Sequence, residues 1–244
     1  MTISLAVSNL SAGYGDVAVL ADVSLSVEAG VITAVIGSNG AGKTTLLRSL
    51  SGLLRPREGS IRVGDAELLG AKPLEFVKAG IIHVPEGRRL FAGMTVEDNL
   101  LMGAFALSLG KAELRRDLDR VYSAFPKLAE RRRQDAVSMS GGEQQMCAIG
   151  RGLMSRPRVM MIDELSLGLA PVAVDFLVEA LKTISSDGVG IIVVEQDVAV
   201  ALDMAKHVVV MDRGRVSKAG SSEEIAQDQA IRAAYLGDEH GAAA

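Results

Sequence analysis

The chain has 244 residues, 48% hydrophobic, 23% charged and 3% aromatic, with a net charge of −4, which describes a folded chain able to bury a core without staples and excludes a disordered one. One Cys and three scattered His (His83, His207, His240) exclude a disulfide framework and a Cys- or His-rich zinc site, and the acidic balance argues against binding nucleic acid by bulk charge. No apolar run reaches the roughly 18 residues that cross a bilayer and the start, MTISLAVSNL, lacks the features of a signal peptide, so a cytoplasmic chain is expected, joined to a membrane only through partners.

In chain order, ISLAVSNL (3–10), VSLSV (23–27) and VITAVI (31–36) read as strands broken by Gly-containing turns. Residues 37–44, GSNGAGKT, then fit G-x-x-x-x-G-K-[ST] in full, ahead of a helical pattern that lines up Leu46, Leu47, Leu50, Leu53 and Leu54. Glycines let such a loop turn its N–H groups toward phosphate oxygens, and the helix N-terminus adds partial positive charge. Lys43 supplies a full charge to β- and γ-phosphates, and the Thr44 hydroxyl is placed to ligand Mg²⁺.

A short strand is expected at 81–84, with His83 as a satisfied core residue. From about 95 to 155 no strand pattern stands out, and Leu114, Leu118, Val121, Tyr122 and Phe125 recur at helical spacing. A helical insert bounded by Glu86 and Pro157 follows from this. Its bunched cations, Arg115-Arg116 and Arg131-Arg132-Arg133, read as a solvated face, with docking of an acidic partner as the alternative. Cys147 reads as a small buried hydrophobe, and Met139, Met146, Met154, Met160 and Met161 as fillers between insert and sheet.

VMMIDE (159–164) is an apolar strand that ends in two carboxylates, in the place where parallel sheets keep ligand groups. Asp163 would hold Mg²⁺, directly or through water, and Glu164 would polarise a water against the γ-phosphate as general base. A helix near 171–185, a strand at 190–194, a helix near 197–204 and a strand at 207–212 complete an alternation that implies a parallel sheet covered on both faces. The tail 237–244 reads as frayed.

MSGGEQQMCAIGRGLMSRP (139–157), its spacing from Lys43 and to Asp163, and Tyr14 in SAGYGD resemble the ATP-binding-cassette ATPases over residues 3–236. VPEGRRLFAGMTVEDNL (84–100), SGGEQQM (140–146) and SLGLAP (166–171) are similar to the smaller ATPase subunit of bacterial branched-chain amino-acid importers. The resemblance implies an α/β P-loop NTPase (RecA-like) parallel sheet with an N-terminal antiparallel β region, covering 1–86 and 158–236, and an inserted helical subdomain at 87–157. It implies ATP held by Gly37, Ser38, Asn39, Gly40, Ala41, Gly42, Lys43, Thr44 and Thr45, with Tyr14 against the adenine. Ser140, Gly141 and Gly142 would face the γ-phosphate held by a second chain, since such ATPases pair head to tail around two ATP molecules; capping the following helix is the plainer role of Ser140.

Three positions depart from the family pattern. Glu86 stands where Gln is usual, either as a metal ligand or turned away until the dimer closes. Gln196 stands where a His senses the phosphate, and can donate a hydrogen bond but brings no charge. Leu165 replaces a Pro that restrains the backbone of Glu164.

The expected partners are two membrane-spanning permease subunits, met through a face near Glu86 to Asn99, a related ATPase or a second copy, and, indirectly, an extracytoplasmic solute-binding protein. The expected solute is a branched-chain amino acid; a urea, amide or other polar-solute importer, a soluble ATPase of the same fold acting on a macromolecule, and a P-loop kinase are the alternatives.

Overall fold

The computed structural model describes residues 2–233; the expected tail at 237–244, and His240 with it, lies outside the described residues. The chain opens on a long hairpin of β1 (Ile3–Tyr14) and β2 (Val17–Glu28). It outruns the expected 3–10 and 23–27 because the period-two pattern slips: the register shifts between Val7 and Leu10, where Asn9 takes φ 50°, and Leu10 and Ala12 again point inward.

Then come β3 (Ile32–Ile36), α1 (Lys43–Leu50), β4 (Glu58–Val63), β5 (Ala66–Glu67), α2 (Pro73–Lys78) and β6 (Ile81–Val84). Helices α3 (Val96–Met102), α4 (Lys111–Ala124), α5 (Pro126–Glu130) and α6 (Gly141–Leu153) follow, with no strand among them. The rest is β7 (Val159–Asp163), α7 (Pro171–Ser186), β8 (Gly190–Val194), α8 (Val198–Met204), β9 (His207–Asp212), β10 (Arg215–Ser221), α9 (Ser222–Ala226) and α10 (Gln229–Ile231).

One sheet is antiparallel, in the order β2-β1-β4-β5. The other runs β10-β9-β3-β8-β7-β6, with β9, β3, β8, β7 and β6 parallel and β10 antiparallel at its edge. Its parallel strands are buried on both faces, as crossover connections require, while β10 stays largely exposed. Alternate residues serve two cores. Ile36, Met160, Ile162, Ile191 and Val193 join the helices; Val35, Met161, Ile192 and Val194 join α1 and the antiparallel sheet. Met139, Met146, Met154 and Met160 fill the helical side as expected, but Met161 belongs to the opposite face, because side chains in a strand alternate.

Other local readings also change. Leu46, Leu47 and Leu50 are buried, but α1 stops at Leu50 with Gly52 at φ 71°, which leaves Leu53 63% exposed. Cys147 is buried as expected, and burial pushes its thiol up to about 12. His83 is not satisfied: its Nε2 is buried with no partner among the described residues. Asn99, expected on an outer face, is fully buried and closes the loop before α3. Its Oδ1 accepts from the Phe91 amide at 2.8 Å, and its Nδ2 donates to the carbonyls of Phe91 (3.1 Å), Met94 (3.4 Å) and Thr95 (3.1 Å). No helix among the described residues is long and apolar enough to cross a membrane.

Candidate nucleotide-binding and hydrolysis site

The loops that leave β3, β6, β7 and β8 gather at one edge of the parallel sheet, the edge where open α/β sheets bind ligands. The loop from Gly37 to Gly42 is held close to its surroundings. A Cβ at Gly37 would lie 2.3 Å from the Met211 carbonyl oxygen, and one at Gly42, at φ 103°, would lie 2.8 Å from Leu20 Cδ2. The Ala41 amide donates to the Ser38 carbonyl at 3.1 Å, and the Gly214 amide donates to that of Ala41 at 2.9 Å. Ser38, Asn39 and Gly40 stay exposed, as a loop open to a ligand must.

Lys43 is buried, and its Nζ donates to the carbonyls of Gly37 at 2.6 Å and Ser38 at 3.1 Å. Burial lowers its pKa, while the charges of Glu164 and Asp163 act against that. Tyr14, at the end of β1, is 42% exposed and its hydroxyl accepts from Arg48 at 3.3 Å. Burial would raise its pKa, but bonds to Thr45 and Arg48 hold it below the usual value. Thr45 itself is buried and meets Tyr14, while Thr44 is exposed at the head of α1.

Asp163 closes β7 and is buried, with Oδ1 lacking a hydrogen-bond partner among the described residues. Burial raises its pKa, helped by the charges of Glu164 and Glu86; a bond with the Thr44 hydroxyl and the charge of Lys43 oppose this. Thr44, Lys43, Glu164 and Glu86 thus all act on Asp163. An orphaned carboxylate oxygen beside a hydroxyl fits Mg²⁺, which takes one or two carboxylates and completes its shell with water and phosphate. No cage of three His, Cys, Asp or Glu forms among the described residues.

Glu164 takes φ 55°, a left-handed conformation rare for such a residue. Its amide donates to the Val194 carbonyl at 3.0 Å, and its Oε1 accepts from Gln196 Nε2. The structure therefore brings Gln196 and Glu164 into one pair across the ends of β8 and β7.

Ser140, Gly141 and Gly142 lie elsewhere. Ser140 caps α6: its Oγ accepts from the Glu143 amide at 3.4 Å and donates to Glu143 Oε2 at 2.8 Å. Arg131, read as solvated, pairs with Glu143 at 3.1 Å. A Cβ at Gly141 would meet Arg88 and Leu169, and one at Gly142 would meet Ala173. Among the described residues, none of the three shares a hydrogen bond with loop 37–44 or with the acidic pair.

Sequence reasoning missed Glu195, buried directly behind Gln196, and Ser166, bonded to it. The signal was present: GIIVV ends in a carboxylate just as VMMI does. It also missed Arg151, whose guanidinium lies 5.3 Å over the Phe91 ring and donates to the carbonyls of Arg89 (2.7 Å) and Arg88 (3.1 Å).

Known proteins share this fold. A profile of the ABC transporter family matches residues 20–166. The chain is 42% identical to the high-affinity branched-chain amino acid transport ATP-binding protein BraG of Pseudomonas aeruginosa, over 96% of this chain and 99% of that one. It is 32% identical to the probable branched-chain amino acid transport ATP-binding protein LivF of Archaeoglobus fulgidus, over 93% and 96%. Among solved structures, an ATP-binding subunit of an ABC transporter superposes with a TM-score of 0.81 at 32% identity, covering 95% of each chain. An ATP-binding cassette in its ADP conformation superposes with a TM-score of 0.86 at 24% identity, which supports the P-loop NTPase fold. The chain belongs to the ABC transporter family, among its ATP-binding, ATP-hydrolysing subunits.

Proposed function

We propose that this chain hydrolyses ATP to drive uptake of branched-chain amino acids through a membrane permease. The likeness to BraG, end to end in both chains, carries the solute class. The chemistry rests on the pair formed by Glu164 and Gln196 next to buried Asp163.

Loop 37–44 receives the phosphates with its amides, and Lys43 turns from the carbonyls of Gly37 and Ser38 to the β- and γ-phosphate oxygens. Tyr14 offers its exposed ring to the adenine. Thr44 and Asp163, with Glu86 close by, would hold Mg²⁺, which would supply charge neutralisation at the phosphates. Glu164 takes a proton from the attacking water, and Gln196 orients that carboxylate.

Ser140, Gly141 and Gly142 complete the site of a second, head-to-tail ATPase chain; their separation from loop 37–44 in one chain supports this. Residues 1–86 and 158–236 act as the nucleotide core and 87–157 as a helical subdomain, a division supported by the run of helices between β6 and β7. Two permease subunits, with an extracytoplasmic solute-binding protein beyond them, hold the chain peripherally on the inner face of the cell membrane. ATP binds the closed pair more tightly than the open one, and that difference shifts the permease.

Tagged chain drawn from detergent-solubilised native membranes is expected to bring two multi-span proteins and a second ATPase. The reconstituted complex is expected to take up leucine or isoleucine with ATP, and Glu164→Gln to slow uptake about 100-fold or more. Uptake of urea or amides alone would replace the solute class, and recovery of soluble partners alone would overturn the transport reading.

A further inference from the structure

We propose that Glu195 is a positioning residue for hydrolysis, locking the segment that carries Glu164 to the segment that carries Gln196. This rests on the reading of Glu164 as general base. Glu195 follows β8 and is 1% exposed although it bears a carboxylate. Its amide donates to the Val35 carbonyl at 3.2 Å, which fixes it against the strand that feeds the phosphate loop. Its Oε1 accepts from the Ser166 amide at 2.8 Å; its Oε2 accepts from Ser166 Oγ at 2.9 Å and from the Gln196 amide at 3.1 Å.

Those bonds close a ring. Ser166 stands two residues after Glu164, and Gln196 next to Glu195 donates back to Glu164 Oε1. No Lys or Arg pairs with Glu195 among the described residues. An unpaired carboxylate is an expensive way to fill space at a strand end, and an apolar residue would pack there at less cost. What the carboxylate adds is acceptance of donors from two loops at once. Glu164 needs such help, because its left-handed φ of 55° persists only where the surroundings over-determine it. A catalytic carboxylate displaced by about 1 Å loses on the order of 100-fold in rate.

The test uses the full chain isolated with the membrane complex that retains it. It measures single-turnover ATP hydrolysis, the Kd of a fluorescent ATP analogue and the melting midpoint. Glu195→Gln puts an NH2 where an acceptor is required, and is expected to slow hydrolysis roughly 10- to 100-fold while Kd stays within about threefold. Ser166→Ala removes only the hydroxyl bond and is expected to slow hydrolysis by a smaller factor. The double variant is expected to be no slower than Glu195→Gln, because both act through one ring. Hydrolysis at the unaltered rate in Glu195→Gln, equal losses of binding and hydrolysis, or fully multiplying losses in the double variant would each overturn the proposal. If Glu164→Gln is inactive while Glu195→Gln is fully active, the inference alone fails. If Glu164→Gln hydrolyses ATP at the unaltered rate, the reading of Glu164 fails and the inference with it.

Discussion

A titratable side chain in this protein takes its character from its neighbours. Asp163 is buried among like charges and lifted above its usual value, so a metal cation at its orphaned Oδ1 would find a ligand with little competing hydrogen bonding. Glu195 is buried as deeply but faces donors from two loops. His83 has the opposite fate to a surface imidazole: burial, with the charge of Arg48 added, lowers its pKa from 6.5 to about 4. The folded state therefore keeps His83 neutral, while the unfolded chain protonates it as pH falls below about 6.5. The stabilisation is complete above that value and is lost progressively toward pH 4. At about 1.4 kcal/mol per unit the loss amounts to at most about 3.5 kcal/mol. Urea unfolding of the protein and of His83→Leu is expected to show it: the stability gap should shift in favour of the variant between pH 7 and pH 4.5. A gap constant over that range would show that His83 does not gain its proton on unfolding.

At the scale of elements, the connections are held by single buried polar groups more than by loop length. Asn99, fully buried on α3, satisfies one amide and three carbonyls of the segment from Phe91 to Thr95. Asn99→Ala strands those groups and is expected to lower unfolding free energy by about 2–3 kcal/mol. Asn99→Asp keeps the bond from the Phe91 amide but donates nothing, so denaturant unfolding should place it near the Ala variant. Elements of this kind explain what could be read from the chain. VITAVI, VMMI and GIIVV were legible because a parallel strand buried on both faces needs an unbroken apolar run. Loop 37–44 and the Asp163–Glu164 pair were legible because phosphate chemistry dictates residue types at fixed spacing. The hairpin's full length was hidden by the register shift after Val7, and Leu53 was misplaced because helical spacing does not reveal where a C-cap ends a helix. Asn99 and Glu195 were hidden for a different reason. Their partners are backbone groups but for the Ser166 hydroxyl, and Ser166 lies 29 positions from Glu195, so no local pattern announces them.

At the scale of the whole molecule, an apolar groove stays open among the described residues. A groove of about 580 Å³ lies over β6, with Leu53, Phe91, Met102 and Arg151 among its walls. Phe105 at its rim is 85% exposed, and Leu53 63%. Clustered exposed apolar groups mark interaction sites, whereas scattered ones need no explanation. The floor strand runs straight on to Glu86, and Arg151 ties the loop at Arg88 and Arg89 to α6, so a segment seated in the groove would press on elements that reach the nucleotide site. That geometry suits a permease helix whose movement must follow ATP. Phe105 is so exposed that replacing it should alter stability by no more than about 0.5 kcal/mol, yet as an aromatic that a partner covers it would contribute about 1.4 kcal/mol or more. Phe105→Asp is therefore expected to cut recovery of the membrane subunits with tagged chain roughly tenfold or more, with the Kd for ATP unchanged and Phe105→Leu retaining most of the complex. Full recovery of the membrane subunits by Phe105→Asp would place the permease on another face, and a parallel loss of ATP binding would make Phe105 part of the fold instead of the contact.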